Sequence, residues 1–309
     1  MVGNKDIEVS VIIPTYNREE VLCQTLDLAL RQDYPSYEVI VVDQTREHLP
    51  STKKYLEQIE DKIRYFKLDR PNTPTARNLG VKNARGEIVV FLDDDVTFDA
   101  DLLKNHLHNY SDPKMGGVAG RVITPGESVR RTHKVGYFSL LGICQCNYSS
   151  DRRTWVHSAM GCNTSFRKKL IFEAGLFDPD FVGNCHREES DFCFRLRRLG
   201  YGIIFDPRAC AIHLVASKGG TRSEDPSDQR SATFFQNETL FYLKNMPRKY
   251  WFLALPVQYR HYVITKTNLL NGTVLSKTIN FFQGIWLGMK IYKRKKAHSA
   301  KPQLPRKVN

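Results

Sequence analysis

Short apolar runs alternate with segments of helical periodicity through the N-terminal third of the chain. Residues 18–32 place Val21, Leu22, Leu26 and Ala29 on one helix face, whereas 39–42 are apolar throughout, which is typical of a strand buried on both sides. The predicted strands are 8–13, 39–42, 63–68 and 88–92, and the predicted helices are 18–32, 51–60 and 75–84. This alternation predicts an α/β fold with a mostly parallel sheet flanked by helices.

The pattern changes in the second half of the chain. Residues 123–157 are rich in Gly, Ser and Arg and predict irregular structure. Later strands are predicted at 161–166 and 209–214, and helices at 188–199 and 230–296. The 188–199 helix opens with acids and closes with arginines, which complements its dipole. We expect an α/β domain over 1–229 and a basic, aromatic-rich helical extension over 230–309.

Composition indicates a folded protein in a reducing compartment. The chain has 309 residues, 41% of them hydrophobic, so it can bury a substantial core. Its seven cysteines include no CxxC pair, which argues against a disulfide framework or a zinc ribbon. The strand at 8–13 leaves no room for a signal peptide, and no apolar run approaches the ~18–20 residues of a spanning helix. We therefore expect a cytoplasmic location.

Positive charge is concentrated in the C-terminal segment. The formal net charge is +13, yet from Thr239 onward the chain has 14 lysines and arginines and no acidic residue. Aromatic residues lie among these bases, at 250–253, 281–282 and 286, and a basic run occupies 293–296. This combination predicts helices at the surface of an anionic membrane. A packed extension with a solvated basic end is the alternative, and nucleic acid is the least favoured partner.

Polar residues follow three predicted strands at the position where ligands bind in parallel sheets. Thr15 and Asn17 follow the first strand, Asp43 the second and 93–95 the fourth. Neither GxGxxG nor GxxxxGK[ST] follows the first strand, which disfavours a dinucleotide-dependent dehydrogenase and a P-loop NTPase. The polar strand ends therefore predict a ligand site of another kind.

Three consecutive aspartates, Asp93, Asp94 and Asp95, are the clearest candidates for metal chemistry. Adjacent carboxylates repel one another unless a cation neutralises them, and Mg²⁺ and Mn²⁺ both favour oxygen ligands. Alternate residues of an extended segment face the same way, so Asp93 and Asp95 can share one ion. A solvated acidic turn, or a helix cap before 98–103, is the alternative.

Four further groups could take part in chemistry, and each has a purely structural alternative. An acid within 187–191 could act as a general base, or the cluster could simply open a helix. His213 could be a metal ligand or a structural residue at a strand end. Arg222 follows two glycines and could bind phosphate, or lie in an ordinary surface loop. Arg77, at a helix start, could approach a diphosphate or be an ordinary exposed residue.

Seven segments together resemble a known family. They are VSVIIPTYNR at 9–18, VIVVD at 39–43, ARNLG at 76–80, GEIVVFLDDD at 86–95, GCN at 161–163, FDP at 177–179 and EESD at 188–191. In this order they are similar to the family 2 glycosyltransferases, which have the GT-A fold. The resemblance covers about residues 8–222. Each segment alone is weak, but the ordered set is specific.

The resemblance implies site roles for individual residues. Asp95, Asp93 and His213 would hold Mn²⁺ or Mg²⁺, and Glu189 stands at the position of the catalytic base, with Glu188 and Asp191 as rivals. The residues that would bind the nucleotide sugar are Pro14, Thr15, Asn17, Asp43, Arg77, Asp93, Asp94, Gly161, Asn163 and Arg222. Two departures from the family pattern stand out: Gln44 follows Asp43, and the base position holds Glu where aspartate is usual.

The implied activity is an inverting transfer of a sugar to a hydroxyl group. The donor would be a UDP-, dTDP- or GDP-sugar, and the acceptor a saccharide or a lipid-linked molecule in polysaccharide or glycolipid synthesis. A sugar-phosphate nucleotidyltransferase and a non-catalytic nucleotide-sugar-binding relative are the alternatives. The former is expected to have a basic, Gly-rich phosphate loop after its first strand, which 14–18 does not supply.

Overall fold

A computed structural model describes residues 7–221 and 231–299 of the chain. The described residues form two compact units, one made of 7–139 with 143–221 and the other of 140–142 with 231–299. The predicted domain boundary at 229/230 lies outside the described residues, as does Arg222, so both stay predictions.

The first unit contains eleven strands and six helices among its described residues. The strands are β1 Val9–Thr15, β2 Tyr37–Asp43, β3 Ile63–Lys67, β4 Ile88–Leu92, β5 Val96–Phe98, β6 Met115–Ile123, β7 Tyr137–Phe138, β8 Cys144–Gln145, β9 Thr154–Trp155, β10 Asn163–Arg167 and β11 Gly202–His213. The helices are α1 Glu20–Ala29, α2 Pro50–Gln58, α3 Thr73–Asn83, α4 Leu102–Leu107, α5 Lys168–Glu173 and α6 Glu188–Arg198. The prediction of an α/β fold is confirmed.

One mixed sheet organises this unit, with strand order β3-β2-β1-β4-β10-β6-β11-β5. The first four strands are parallel, as predicted: Val11 of β1 pairs with Val39 on one side and with Val90 on the other. Strand β10 runs antiparallel to both β4 and β6, and β5 runs antiparallel to β11. The sheet is therefore parallel in its N-terminal half and mixed beyond it.

Strand β1 extends two residues beyond the predicted 8–13 segment and includes Pro14. Pro14 pairs with Val42 of β2, whereas the pairing of β1 with β4 ends at Ile12. A proline lacks the N–H that a ladder on its other side would need, and that ladder has already ended. The strand can therefore carry Pro14 and Thr15 to its carboxyl end.

Strand β6 was missed by the hydrophobic pattern, because its sequence MGGVAGRVI is rich in glycine. The glycines allow close packing: a Cβ on Gly117 would collide with the Phe166 ring, and one on Gly120 with the Asn163 side chain. Strand β11 is also longer than the predicted 209–214. Residues 123–157 are largely irregular as expected, with only the two-residue strands β7, β8 and β9 after β6 ends.

The second unit is helical where it is described, as the 230–296 pattern predicts. Its helices are α7 Ala232–Asn245, α8 Trp251–Tyr262, α9 Lys266–Leu270 and α10 Val274–Ser299. Helix α10 packs closely on α7, because Gly284 and Gly288 leave no Cβ between the two backbones. Among the described helices, none combines the length and the apolar character that crossing a bilayer requires.

The Gly86→Ala variant tests how tightly the β1–β4 connection is packed. A Cβ at Gly86 would lie 2.6 Å from the Ser10 nitrogen and 2.6 Å from the Val9 carbonyl carbon, both in the β1 backbone. Relief requires a backbone shift, so we expect the variant to lower the free energy of unfolding by about 1–3 kcal/mol in urea denaturation. Lys53→Ala, on the exposed side of α2, is the control and should change it by less than about 0.5 kcal/mol. Equal stability of both variants would contradict the packing argument.

Candidate active site

A cavity of about 410 Å³ opens at the carboxyl ends of β1 and β4. Among the predicted residues, five that line it come from these strand ends: Pro14, Thr15, Asp93, Asp94 and Asp95. Four more come from distant parts of the chain: Arg77, Glu188, Glu189 and His213. The fold thus brings the triple aspartate and the 188–189 acids to one cavity.

Two carboxylates and one imidazole converge where the sequence predicts a metal ion. Ligand atoms of Asp93, Asp95 and His213 all lie within 4.8 Å of one another. His213 Nε2 is 3.1 Å from Asp95 Oδ1 and 3.9 Å from Asp93 Oδ2. The antiparallel pairing of β11 with β5 sets His213 opposite Val96, the residue after Asp95. Sheet register therefore explains why a histidine more than a hundred residues away meets the aspartates.

Arg18 is a site residue that the sequence analysis did not single out. Its guanidinium pairs with Asp94 Oδ1 at 3.3 Å and with Asp95 Oδ2 at 3.0 Å. It also donates to the carbonyls of Ala216 and Lys218, in the loop after β11. The signal was present, because three adjacent acids need a cation and Arg18 is the nearest base after β1. Arg18 both neutralises the aspartates and holds the loop beside them.

The backbone of the loop after β11 also bonds to the residues that follow β1 and β4. The Gly220 N–H donates to the Tyr16 carbonyl at 2.6 Å, and the Ala216 N–H donates to Asp95 Oδ2 at 3.0 Å. Gly219 has φ +76°, and a Cβ there would collide with the Asn17 carbonyl. Only glycine fits this position without strain. Glycine at this position thus allows a close backbone contact at the cavity rim.

The adjacent aspartates differ in their acidity. Burial raises the pKa of Asp94 to about 7, and the charge of Arg18 offsets only part of that rise. Burial also disfavours the charged form of Asp95, but the hydrogen bond and charge of His213, together with Arg18, outweigh it and lower its pKa. Asp95 is therefore the more firmly ionised of the two and the stronger candidate to hold a cation.

Arg77 links the two acidic clusters. Its guanidinium is 3.6 Å from Asp93 Oδ1 and 4.0 Å from Glu189 Oε1, and it forms an ion pair with Glu188. Two aromatic rings, Phe91 and Phe177, lie under the guanidinium at 5.8 and 5.7 Å from its central carbon. Arg77 is 3% exposed, so its position is fixed by packing as well as by charge.

Gly161 makes room for this arrangement, although it does not line the cavity itself. A Cβ at this position would collide with the Arg77 guanidinium. The Gly161 N–H also donates to Glu189 Oε1 at 3.3 Å. The GCN segment therefore acts on the site through Arg77 and Glu189.

The three rival acids of α6 have different surroundings. Glu189 lines the cavity with a side chain 26% exposed, whereas Glu188 is 2% exposed and paired with Arg77. Asp191 is fully buried, bonded to Arg195 at 3.0 Å, and does not line the cavity. Glu189 is thus the acid with both access to the cavity and an orienting hydrogen bond.

Besides Gly161, three described residues that were predicted to bind the donor lie outside the cavity lining. Asn163 is buried, and its amide nitrogen donates to the Arg121 and Ala209 carbonyls at 2.9 Å. Asn17 is exposed, and its backbone N–H donates to the Thr45 hydroxyl at 2.8 Å. These contacts join neighbouring parts of the protein rather than facing a ligand.

Asp43 also lies outside the cavity lining, and its carboxylate is bonded to three side chains of the protein. His48 Nε2 lies 2.9 Å and Lys67 Nζ 2.7 Å from its Oδ2, which also accepts from Tyr65. Burial raises the pKa of the Asp43 carboxyl, but these bonds outweigh burial and hold the pKa well below its ordinary value. Gln44, the departure from the family pattern, is the residue of this pair that lines the cavity.

The sequence profile of glycosyl transferase family 2 matches residues 10–173, more than half of the chain. The chain belongs to glycosyl transferase family 2. The family resemblance in the sequence is thereby confirmed, and the match includes β1, the triple aspartate and the GCN segment. The triple aspartate at the end of β4 therefore lies within the matched family domain.

Curated relatives are identical to this chain at about a quarter of the aligned positions. The poly-β-1,6-N-acetyl-D-glucosamine synthase of Staphylococcus epidermidis is 26% identical over 215 residues, covering 67% of this chain. The chain spans about half the length of that relative (50%). The glucosyl-dolichyl phosphate glucuronosyltransferase of Haloferax volcanii is 24% identical over 217 residues, with 67% of this chain and 69% of the relative covered.

Solved structures share the fold. The S. aureus TarS 1-349 complex with UDP-GlcNAc has a TM-score of 0.63 and 19% identity, covering 90% of this chain and 79% of TarS. The mannosyltransferase PcManGT from Pyrobaculum calidifontis, in complex with GDP-Man and Mn²⁺, has a TM-score of 0.56 and 20% identity, covering 98% of this chain and 78% of PcManGT. The GT-A fold expected from the resemblance is confirmed.

His48→Ala tests whether the Asp43 cluster is held by charge. The hydrogen bond to Asp43 raises the pKa of His48 above its ordinary ~6.5, so its stabilisation is complete below that pH and is lost as pH rises. We expect the variant to cost about 1–3 kcal/mol of unfolding free energy at pH 6 and less at pH 9, measured by urea denaturation. The exposed His133→Ala variant is the control. A cost that is the same at both pH values would show that the contact is not ionic.

Proposed function

We propose that this protein is an inverting, metal-dependent glycosyltransferase that moves a sugar from a nucleotide-diphosphate-sugar to a hydroxyl acceptor. One observation carries the proposal: the Asp93–Asp95–His213 group and Glu189 face one cavity, with Arg77 within 4.0 Å of carboxylates from both clusters. Sugar transfer needs a cation near the departing diphosphate and a base near the acceptor hydroxyl, and one cavity holds candidates for both.

The charge of the cavity supports a divalent cation. Five carboxylates and two guanidiniums line its described part, and both guanidiniums are already paired with acids. We propose that Asp93, Asp95 and His213 hold Mn²⁺ or Mg²⁺, a donor set of oxygens and one imidazole that suits these ions. The structure of PcManGT, which shares the fold, contains Mn²⁺. Such an ion, when bound, supplies Lewis-acid stabilisation to the diphosphate that departs.

The remaining donor contacts follow from position at the cavity. We propose that Pro14, Thr15 and Asp94 contact the nucleoside side of the donor, and that Arg77 lies near its diphosphate. Asp43, Gly161 and Asn163 then shape the surroundings of the donor through the neighbours that they hold. Asn17 and Arg222 stay predictions, Arg222 because it lies outside the described residues.

Glu189 is proposed as the catalytic base. The acceptor hydroxyl loses its proton to the Glu189 carboxylate as its oxygen forms a bond to the anomeric carbon. The bond from that carbon to the diphosphate breaks on the opposite face, which inverts the anomeric centre. The Gly161 N–H at 3.3 Å and Arg77 at 4.0 Å orient Glu189 Oε1. Glu188 has the role of positioning Arg77.

The relatives indicate the range of donors and acceptors. The structures named above contain GDP-Man and UDP-GlcNAc, which supports a GDP-, UDP- or dTDP-linked donor. The curated relatives are named for a polysaccharide product and for a dolichyl phosphate-linked sugar. We propose a saccharide or lipid-linked acceptor in polysaccharide or glycolipid synthesis. A cytoplasmic, reducing location is proposed as well, and the seven free thiols of the chain support it.

Glu189→Gln is the most direct test of the base. The amide keeps the size of the side chain but cannot take a proton, so we expect transfer to fall by at least ~100-fold. Nucleoside diphosphate release is measured over a panel of UDP-, dTDP- and GDP-sugars with Mn²⁺ or Mg²⁺ and candidate acceptors. Glu173→Gln, on the surface of α5, is the matched control and should keep full activity. Near-normal turnover by the Glu189 variant would remove this residue from the role.

Asp95→Ala tests the metal site without relying on turnover alone. We expect it to abolish transfer and to weaken Mn²⁺ binding by at least ~10-fold, measured by isothermal titration calorimetry on the protein without donor. Asp101→Ala removes an exposed acid near the same segment and should bind Mn²⁺ as the unaltered protein does. Unchanged Mn²⁺ affinity in the Asp95 variant would place the ion elsewhere.

A further inference from the structure

Helix α10 exposes a continuous apolar face. Leu275, Ile279, Phe282 and Trp286 are 73, 58, 60 and 58% exposed. Their spacing of four, three and four residues puts them on one side of the helix. We call these four residues the α10 stripe. Single exposed apolar residues are ordinary on protein surfaces, but four along one helix face form a patch, and such patches are typical of surfaces that bind a partner or a membrane.

The opposite face of α10 already has its packing partners. Phe281 and Ile285 lie in a buried cluster with Phe235 of α7, and the Phe281 and Phe235 rings are 5.1 Å apart. Packing within the second unit therefore buries the inner face of α10 and leaves the α10 stripe exposed to solvent. Its neighbours α8 and α9 add exposed apolar side chains, among them Phe252 at 84% and Leu270 at 76%.

Positive charge continues the same helix face. Lys290 and Lys293 are exposed and follow Trp286 at the same spacing of four and three residues. The Lys290 ammonium lies over the Trp286 ring, 5.2 Å from its centre. From Thr239 to Ser299 the chain has eleven lysines and arginines and no acid. One helix face thus combines an apolar half with a basic half.

We propose that the α10 stripe lies in the surface of an anionic lipid bilayer. Leu275, Ile279, Phe282 and Trp286 enter the boundary between headgroups and acyl chains, and Lys290 and Lys293 contact lipid phosphates. This placement removes the apolar side chains from water and gives the bases counter-charges at the same time. It is independent of the chemistry proposed for the cavity.

Charge complementarity selects a bilayer over other occupants. A second copy of this chain would bring the same surplus of lysine and arginine to the contact, and like charges repel. A nucleic acid would satisfy the bases but offers no apolar layer for four large side chains. An anionic bilayer supplies both the charge and the apolar depth that the α10 face requires.

Flotation of the full-length protein with vesicles tests the proposal. We expect it to float with vesicles of phosphatidylglycerol and phosphatidylcholine, to remain in the dense fraction with phosphatidylcholine alone, and to bind less at high salt. Phe282→Ser with Trp286→Ser should lower the bound-to-free ratio by about tenfold or more. The matched control, Trp155→Ser with Phe172→Ser, changes exposed aromatics of the first unit (59 and 47% exposed) and should float normally.

A charge-reversal pair gives a second route that leaves the apolar residues in place. Lys290→Glu with Lys293→Glu should lower the bound-to-free ratio by at least about 25-fold, since each base near an anionic surface contributes about fivefold and the new carboxylates are repelled by it. Lys53→Glu with Lys54→Glu, on the exposed side of α2, makes the same change in net charge and should bind as the unaltered protein does.

Three results of the flotation experiments would overturn the proposal. They are absence of flotation by the unaltered protein, flotation by both α10 variants at the unaltered level, and equal loss in the control pairs. Sedimentation equilibrium without lipid tests the second copy: a dimer that becomes a monomer in the Phe282→Ser, Trp286→Ser variant would assign the stripe to self-association instead. None of these readouts uses a sugar donor, so they stand apart from the test of transfer.

Discussion

The crowding of three carboxylates at the end of β4 is the constraint on which the rest of the site depends. Like charges at adjacent residues repel, and basic side chains from three separate segments lie beside these acids. Arg18 comes from the loop after β1, Arg77 from α3 and His213 from the end of β11. Parts of the chain that are far apart in sequence are thus held at one sheet edge by the acids they neutralise.

Arg77 carries this constraint across the cavity. Its guanidinium lies between Asp93 and Glu189, and so sets the distance between the positions that we propose for the departing phosphate and for the base. The Phe91 and Phe177 rings and the Gly161 backbone pack against the Arg77 guanidinium and restrict its position. Packing and charge therefore specify the same geometry, which is what a pre-organised reaction site requires.

The sequence predicted the parallel half of the fold and much of the cavity, because the rules involved are local. A strand buried on both sides has a continuous apolar sequence, and parallel strands end at one edge of the sheet, so the sequence placed Thr15 and Asp93 at the same edge. These rules could not predict strand β6, because its glycines break the apolar pattern. The glycines allow close packing against Phe166 and Asn163, which only the tertiary structure shows. Asp43 is a similar case: no spacing rule says that its carboxylate is taken up by His48 and Lys67.

The same charge arithmetic explains how an acidic cavity can receive an anionic donor. The guanidiniums of Arg18 and Arg77 are committed to carboxylates, so the described lining offers a diphosphate no spare arginine or lysine. A nucleotide sugar brought to this cavity alone would meet net repulsion. A divalent cation at the proposed Asp93, Asp95 and His213 site would neutralise these two carboxylates, and the donor would then bind where the acids alone would repel it. If the proposed site holds the ion, metal and donor are therefore expected to bind cooperatively, because the ion offsets the repulsion between the acid cluster and the diphosphate.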